Sequence, residues 1–247
     1  QGVVARLLPE PEAPAVQLSI QTISPYAREV DTAANRLKNQ PREIALRMLT
    51  RRYAIHAKKE GAPFISGSVG ATEQFDFFRN ASVELTCKPE QWRAALAVGE
   101  QELRRALEFG FQPAELKEAV AATRNSLEQA VRSASTRRSG QLANAIVSTL
   151  IEDSVFTHPE ANLALYGPAL DKVTLDDCVR ALRETWDANL GRHLWVTGNL
   201  TLAQPEQEII AAYEASRALA VQPPEKILDA SFAYTDLGAP GTVAREQ

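Results

Sequence analysis

One stretch, residues 75–120, constrains the fold most, because it predicts a strand, a helix, a tight turn and a second helix in immediate succession. Apolar and polar residues alternate over 80–87, which is the two-residue period of a half-buried strand. An apolar stripe at helical spacing follows over 92–107. Gly110 stands where a left-handed residue ends a helix, and Pro113 stands where a helix tolerates proline at its start. The apolar face of the strand needs a cover, and the helix behind it supplies one.

The segments before this stretch predict two more strands and a long helix. Alternation over 16–20 indicates a first strand, and Asp31 or Thr32 can cap a helix that runs towards His56. Pro41 lies inside that helix, and we expect it to break or restart the helix because proline removes a backbone donor. Residues 64–75 predict a small, glycine-rich strand that pairs antiparallel with 80–87 through a short connection.

Helices dominate the remainder. The pattern predicts helices over 113–135 and 140–153, an irregular segment over 154–168, and a helix from Thr174 with an acidic capping-box partner at Asp177. A short returning strand over 193–197 and a last helix from Pro205 complete the set.

This order of elements predicts an α+β fold, a two-layer sandwich in which helices cover one face of a mainly antiparallel sheet. We expect residues 1–14 to be an extended lead-in with little packing of its own, since they are rich in proline and glutamate. Residues 15–222 form a single α+β domain in this interpretation. Residues 223–247 show no sustained period and are interpreted as a linker to an absent C-terminal half.

Composition argues against two classes of partner. The 247 residues carry a formal charge of −4, which disfavours a nucleic-acid or anionic-membrane role. No run approaches the roughly 18 apolar residues that span a bilayer. Each arginine pair lies in a predicted helix near acidic residues, so a solvated helix face is favoured over a phosphate site; the pairs are Arg51-Arg52, Arg104-Arg105 and Arg137-Arg138.

No residue of the sequence is predicted to be catalytic or to bind a metal. Three histidines are present, none with a histidine partner at zinc-ligand spacing, and His56 with Glu60 is best explained as a surface ion pair. The sequence has neither a glycine-rich phosphate loop nor a nucleophile elbow. Cys87 and Cys178 lie on apolar faces and are predicted to be buried free thiols, although their spacing leaves a disulfide open.

Several of these segments, in this order and spacing, resemble the pitrilysin/insulinase family of zinc metallopeptidases. The resemblance covers about residues 14–242 and is closest to the second repeat in the N-terminal half of bacterial pitrilysin-like members. It is carried by the strand Val83-Glu84-Leu85-Thr86, the helix over 92–107, the Gly110-Phe111 turn, the helix start Glu115-Leu116, the strand over 194–199, and a tail with Phe232, Tyr234, Gly238, Pro240 and Gly241.

The resemblance implies a function for the whole protein and a lesser role for this chain. Members are built of homologous repeats that close around a chamber, and the zinc motif His-x-x-Glu-His lies in the first repeat. This chain then is a non-catalytic chamber-wall domain of a zinc-dependent peptidase, and it helps to enclose and position peptide substrate. The implied partners are the other repeats of the same polypeptide and a peptide; zinc belongs to the full-length protein, and exported bacterial members favour the periplasm. The alternative is a scaffold or assembly subunit, since the family also contains relatives without zinc.

Strand 64–70 is the candidate peptide-binding element. The resemblance to family members that anchor substrate on an edge strand of this repeat assigns main-chain contacts to Ile65, Gly67 and Val69. Small neighbouring side chains would leave the backbone accessible for pairing with an extended peptide. The alternative is an ordinary paired strand whose glycines let the helix over 42–59 pack closely.

Overall fold

The computed structural model describes residues 2–74 and 77–227, which form one sheet and a layer of helices. The strands are β1 (Val3–Pro9), β2 (Val16–Pro25), β3 (Ser66–Gln74), β4 (Phe78–Cys87) and β5 (Arg192–Gly198). The helices are α1 (Ala33–Ala57), α2 (Trp92–Phe109), α3 (Pro113–Arg132), α4 (Ser139–Ile151), α5 (Pro159–Leu170), α6 (Leu175–Thr185) and α7 (Pro205–Arg217). Single 3₁₀ turns occur at Pro89–Gln91 and Ala134–Thr136.

The sheet has the strand order β1-β5-β2-β4-β3. β1 runs parallel to β5, and the other three pairings are antiparallel. The mainly antiparallel sheet is therefore confirmed, and β1 and β3 are its two edges.

Helices cover one face of this sheet. The alternate residues that point towards them are buried along the central strands, among them Leu18, Val83, Leu85, Leu194 and Val196. α1 packs on β3, α2 on β2 and β4, and α7 on β1. The opposite face carries Ser19, Glu84 and Trp195 in one cross-strand row. The predicted two-layer α+β sandwich is thus confirmed.

The turn between α2 and α3 has the predicted positive φ at Gly110, but its ψ is extended rather than left-handed helical. Gly110 ends α2 with φ +71° and ψ −146°, and its N–H donates to the carbonyl of Ala106 at 3.0 Å. Gln112 caps α3 through a capping box in which its own N–H donates to Glu115 at 2.7 Å. The capping box of Thr174 and Asp177 at the start of α6 is also present. Both cysteines are buried free thiols, as predicted.

Two predicted helix breaks are wrong. α1 is continuous over 25 residues with Pro41 inside it, and its buried residues extend from Gln40 to Tyr53. Packing against β3, α6 and α3 outweighs a cost of about 3 kcal/mol for an internal proline. The irregular segment predicted over 154–168 contains α5, which begins at Pro159 and is capped by the His158 side chain. Pro168 falls in its last turn.

The expectation for the N-terminal lead-in also needs correction. Residues 3–9 form the edge strand β1, in register with β5 from Val3 opposite Arg192 to Pro9 opposite Gly198. Ala5 is buried in the core. A single short strand with only one small buried residue leaves little periodic signal, so its pairing could not be read from the sequence.

The C-terminal segment stays against the domain as far as the structure describes it. Val221 is buried, and the side-chain amide of Gln112 donates to the carbonyl of Glu225 at 2.7 Å and accepts from the N–H of Ile227 at 2.8 Å. Residues 228–247, which include most of the predicted linker and the tail motif at 232–241, lie outside the described residues. Within the described part of the chain, no helix is both long and apolar enough to cross a membrane.

Candidate functional site

The outer edge of β3 is the candidate site, and its orientation follows from the hydrogen bonds of Val69. The N–H of Val69 donates to the hydroxyl of Thr50 at 3.0 Å, and that hydroxyl lies 3.4 Å from the carbonyl oxygen of Val69. Val69 therefore turns both main-chain groups away from β4. Because orientation alternates along an antiparallel strand, Gly67 and Ala71 also turn their main-chain groups to the free edge.

The three residues assigned to peptide contact have different surroundings. Ile65 precedes β3, and its N–H donates to the carbonyl of Thr86 in β4 at 2.7 Å, so this donor is used within the sheet. Gly67 faces the free edge but lies close beneath α1: a Cβ at this position would be 2.9 Å from the Cβ of Tyr53 and 2.8 Å from Leu85. The glycine is thus needed for helix packing, as the alternative interpretation expected. Peptide contact by these residues stays a prediction.

A cavity adjoins the second half of the strand. It has a volume of about 670 Å³ and lies between β3, α1, α3 and α5. We call it the β3 groove and define it by six of its lining residues, Thr50, Val69, Ala71, Thr123, Leu127 and Tyr166. The outward main chain of Ala71 therefore borders a space large enough for several residues of an extended peptide.

Charged groups concentrate at the far end of the groove. A second cavity of about 660 Å³ continues past Ala71 and Thr72 towards the end of α4. Arg42 and Arg79 both contact Glu73 there, at 3.0 and 2.8 Å. Burial opposes the ionisation of Glu73, but the two guanidinium groups outweigh it and hold its pKa below the ordinary value. Glu73 is therefore a fixed carboxylate at neutral pH.

Sequence reasoning missed most of the residues around this groove. Thr50, Leu127 and Tyr166 come from three helices that are distant in the sequence, and nothing local marks them as neighbours of β3. Burial raises the pKa of Tyr166, so its hydroxyl stays protonated and can donate a hydrogen bond at neutral pH. Only the register of the sheet and the packing of the helices bring these side chains together.

A buried charge cluster supports the helices that form the groove. Arg52 of α1 donates to both carboxylate oxygens of Glu115, at 2.6 and 2.8 Å, and to the carbonyl of Gly110 at 2.8 Å. It also lies 3.3 Å from Glu102, which in turn contacts His56 at 3.1 Å. The solvated role predicted for Arg52 is wrong because three helices converge on its guanidinium group. His56 correspondingly contacts Glu102 of α2 rather than the predicted Glu60.

The described residues do not form a zinc site. Over 2–74 and 77–227, no three histidine, cysteine, aspartate or glutamate side chains come together in an arrangement that could hold a metal ion. Burial raises the pKa of Cys87 to about 11 and that of Cys178 to about 12, which keeps both as protonated thiols. The donor set that the family resemblance implies for zinc is thus not provided by this part of the chain.

Comparison with solved structures shows which proteins share the fold of this chain. The first half of the periplasmic protease PqqL from Escherichia coli matches with a TM-score of 0.73 and 12% identity over 90% of this chain. A predicted insulinase family protease from Yersinia pestis matches with a TM-score of 0.70 and 16% identity over 85% of this chain. The chain has the fold of the insulinase-family proteases. A structure described as a peptidase M16 inactive domain, from Pseudomonas fluorescens, shares the insulinase-family fold at a TM-score of 0.53, with 13% identity over 82% of this chain and 44% of its own.

The match covers only part of each insulinase-family protein. The chain spans 48% of the PqqL first half, 26% of the whole of PqqL and 45% of the Yersinia pestis protein. No protein-family model matches the sequence. No curated protein matches it either. At these identities the likeness establishes the fold of the chain alone.

Proposed function

We propose that this chain is a non-catalytic domain in the chamber wall of a larger zinc-dependent peptidase, where it helps to enclose and position a peptide substrate. The observation that carries the proposal is the outward main chain of Ala71, which borders the β3 groove at an edge of the sheet. An edge strand beside a partly apolar cavity suits the addition of an extended peptide as a further strand. In this proposal the peptide backbone pairs with β3, and its side chains enter the groove.

The insulinase-family fold supports the proposal that the whole protein is a peptidase. The local geometry places the peptide further along β3 than the sequence alone suggested. The hydroxyl of Thr50 already occupies both main-chain groups of Val69, and Gly67 lies beneath Tyr53. Pairing therefore centres on Ala71 and extends towards Glu73, with Val69 joining only if Thr50 moves. Zinc and catalysis belong to another repeat, and the periplasm is the proposed compartment because PqqL is described as a periplasmic protease.

The test is the substitution Ala71→Pro in the full-length protein. Proline removes one outward N–H, and an edge position whose donor faces solvent tolerates proline. We expect the melting temperature to change little and the cleavage of long peptides to fall about tenfold, which corresponds to about 1.4 kcal/mol. Cleavage of peptides too short to reach β3 should be unchanged.

Gly70→Ala is the matched control. A Cβ at residue 70 meets no atom within 4 Å, and the substitution leaves the outward main chain of Ala71 intact. If a folded Ala71→Pro protein cleaved long peptides as fast as the wild type does, that result would contradict the role of β3. A full-length protein that binds no zinc and cleaves no peptide would instead favour the scaffold alternative.

A further inference from the structure

The most unusual surface of the molecule is the helix α4. None of its residues is buried, and no other helix or strand of the described chain packs extensively against it. Leu150 and Ile151 are 73% and 79% exposed, and Ile146 and Val147 are also exposed. An apolar face of this size on a helix without a neighbour is unfavourable in water.

α4 also lacks the charged residues that a helix exposed to solvent normally carries. Residues 139–151 contain no charged side chain. Ile146 and Val147 lie four residues before Leu150 and Ile151 respectively, which places the four side chains on one face. Helices that face solvent normally carry charged residues on the outer side, whereas the core of a permanent interface is apolar and depleted of charge. The sequence of α4 fits the second environment.

The position of this face is fixed by contacts at the end of the helix. A guanidinium nitrogen of Arg28 donates to the carbonyl of Glu152 at 3.0 Å and contacts the carboxylate of Asp153 at 2.9 Å. The N–H of Val155 donates to Asp31 at 2.7 Å. The C-terminal end of α4 is thus attached to the segment between β2 and α1, and its apolar face lies beside the charged end of the β3 groove.

We propose that the apolar face of α4 is a permanent interface with a neighbouring repeat of the same polypeptide. The inference rests on the proposed function, because it assumes that the chain is one of several repeats. The amount of additional chain in the matched structures supports this occupant: the chain spans 48% of the PqqL first half, which leaves room for a second unit of the same size. A partner in the same polypeptide is always present, which suits a face without charges that would otherwise be exposed to solvent.

Hydrogen exchange of the α4 amides tests the proposal in two preparations, the 247-residue chain and the full-length protein. In the chain alone, the α4 amides should exchange rapidly, since nothing packs on the helix. In the full-length protein without substrate, they should exchange at least tenfold more slowly. The double substitution Leu150→Glu and Ile151→Glu should abolish this protection and lower the unfolding temperature of the full-length protein, while it leaves that of the chain alone unchanged.

Leu219→Glu is the control, because Leu219 is also apolar and 60% exposed but lies after α7. It should change neither the protection of α4 nor the unfolding temperature. Equal exchange of α4 in both preparations would overturn the proposal. So would protection that depends on the concentration of the chain alone, which indicates a second copy, or protection that appears only with added peptide, which indicates substrate.

Peptide cleavage, measured on the same full-length protein, separates this inference from the proposed function. Protection of α4 in a protein that cleaves no peptide supports the interface and contradicts the peptidase role. Cleavage without protection contradicts the interface and leaves the peptidase role standing.

Discussion

The hydroxyl of Thr50 bridges the N–H and the carbonyl oxygen of Val69, at 3.0 and 3.4 Å, on the free edge of the sheet. A side chain of α1 thereby takes the place that a neighbouring strand would occupy at this residue. Edge strands of natural proteins are commonly protected against unwanted pairing. Here the protection covers Val69 and leaves the main chain of Ala71 beside the β3 groove, so Thr50 limits how far a paired peptide can extend along β3.

Replacing Thr50 by valine tests this limit. The substitution keeps the shape of the side chain but removes the hydroxyl, so the main-chain groups of Val69 lose their partner. We expect the free energy of unfolding to fall by about 0.5–1.5 kcal/mol in urea denaturation, the usual net value of one hydrogen bond. Peptide should also bind the full-length protein more tightly, because Val69 becomes available for pairing.

Thr149→Val is a suitable control, since the hydroxyl of Thr149 bonds only within α4, to the carbonyl of Ile146. It should leave peptide affinity unchanged. Unaltered stability and affinity in Thr50→Val would show that the bridge to Val69 has no energetic role.

Two adjacent arginines of α1 should respond very differently to the same substitution. Arg52 is buried with Glu115 and Glu102, so Arg52→Met leaves the buried Glu115 without its cation and removes one of the cations beside Glu102. We expect a loss of about 3–5 kcal/mol in the free energy of unfolding. Arg51 pairs with Glu118 at the surface, and Arg51→Met should cost no more than about 1 kcal/mol. If urea denaturation showed similar losses of stability for both variants, the buried charge cluster would not be what stabilises the α2–α3 turn.

The contrast between these arginines shows how far the sequence predicts this fold. The strand β4, the helix α2, the positive φ at Gly110 and the capping box of Thr174 and Asp177 were predictable because each depends on residues close together in the chain. The burial of Arg52 and the passage of α1 through Pro41 depend on tertiary packing, which outweighs local preference. The β3 groove was not predictable for the same reason, since its walls come from α3 and α5. The sequence indicated the edge strand but not which of its residues remain accessible.

The absence of zinc-ligand spacing in the sequence leads to a prediction for the chain on its own. We expect the 247-residue chain to fold, to retain less than one zinc ion per ten molecules after dialysis, and to cleave no peptide. Elemental analysis of the dialysed protein measures the metal directly. One tightly held zinc ion per chain would show that the interpretation of the three histidines is wrong.

Gly110 should be among the glycines least tolerant of substitution. Its φ of +71° disfavours any side chain, and a Cβ would lie 2.9 Å from a methyl group of Val179 in α6. We expect Gly110→Val to lower the free energy of unfolding by about 1–3 kcal/mol, the range for backbone strain of this kind. Gly140→Ala is the control: a Cβ at residue 140 meets nothing within 4 Å, and alanine in α4 should be neutral or stabilising by up to about 1 kcal/mol. An unchanged melting temperature for Gly110→Val would contradict the backbone of the α2–α3 turn.

Acid should destabilise the protein partly through Glu102. Burial opposes the ionisation of Glu102, but the hydrogen bond with His56 and the charges of Arg105 and Arg52 outweigh it and hold the pKa of Glu102 below its ordinary value. A carboxyl group with a lower pKa in the folded state contributes stability that is complete above its unfolded pKa, about 4.3, and is lost as the pH falls through the folded value. Glu102→Gln removes this ionisation at nearly constant volume. The free energy of unfolding of the variant, measured in urea between pH 6 and pH 3, should therefore fall less steeply below pH 4.3 than that of the wild type.

Glu118→Gln, which alters only the surface pair with Arg51, should keep the wild-type slope. Identical slopes for Glu102→Gln and the wild type would show that Glu102 does not contribute to the acid sensitivity of the fold.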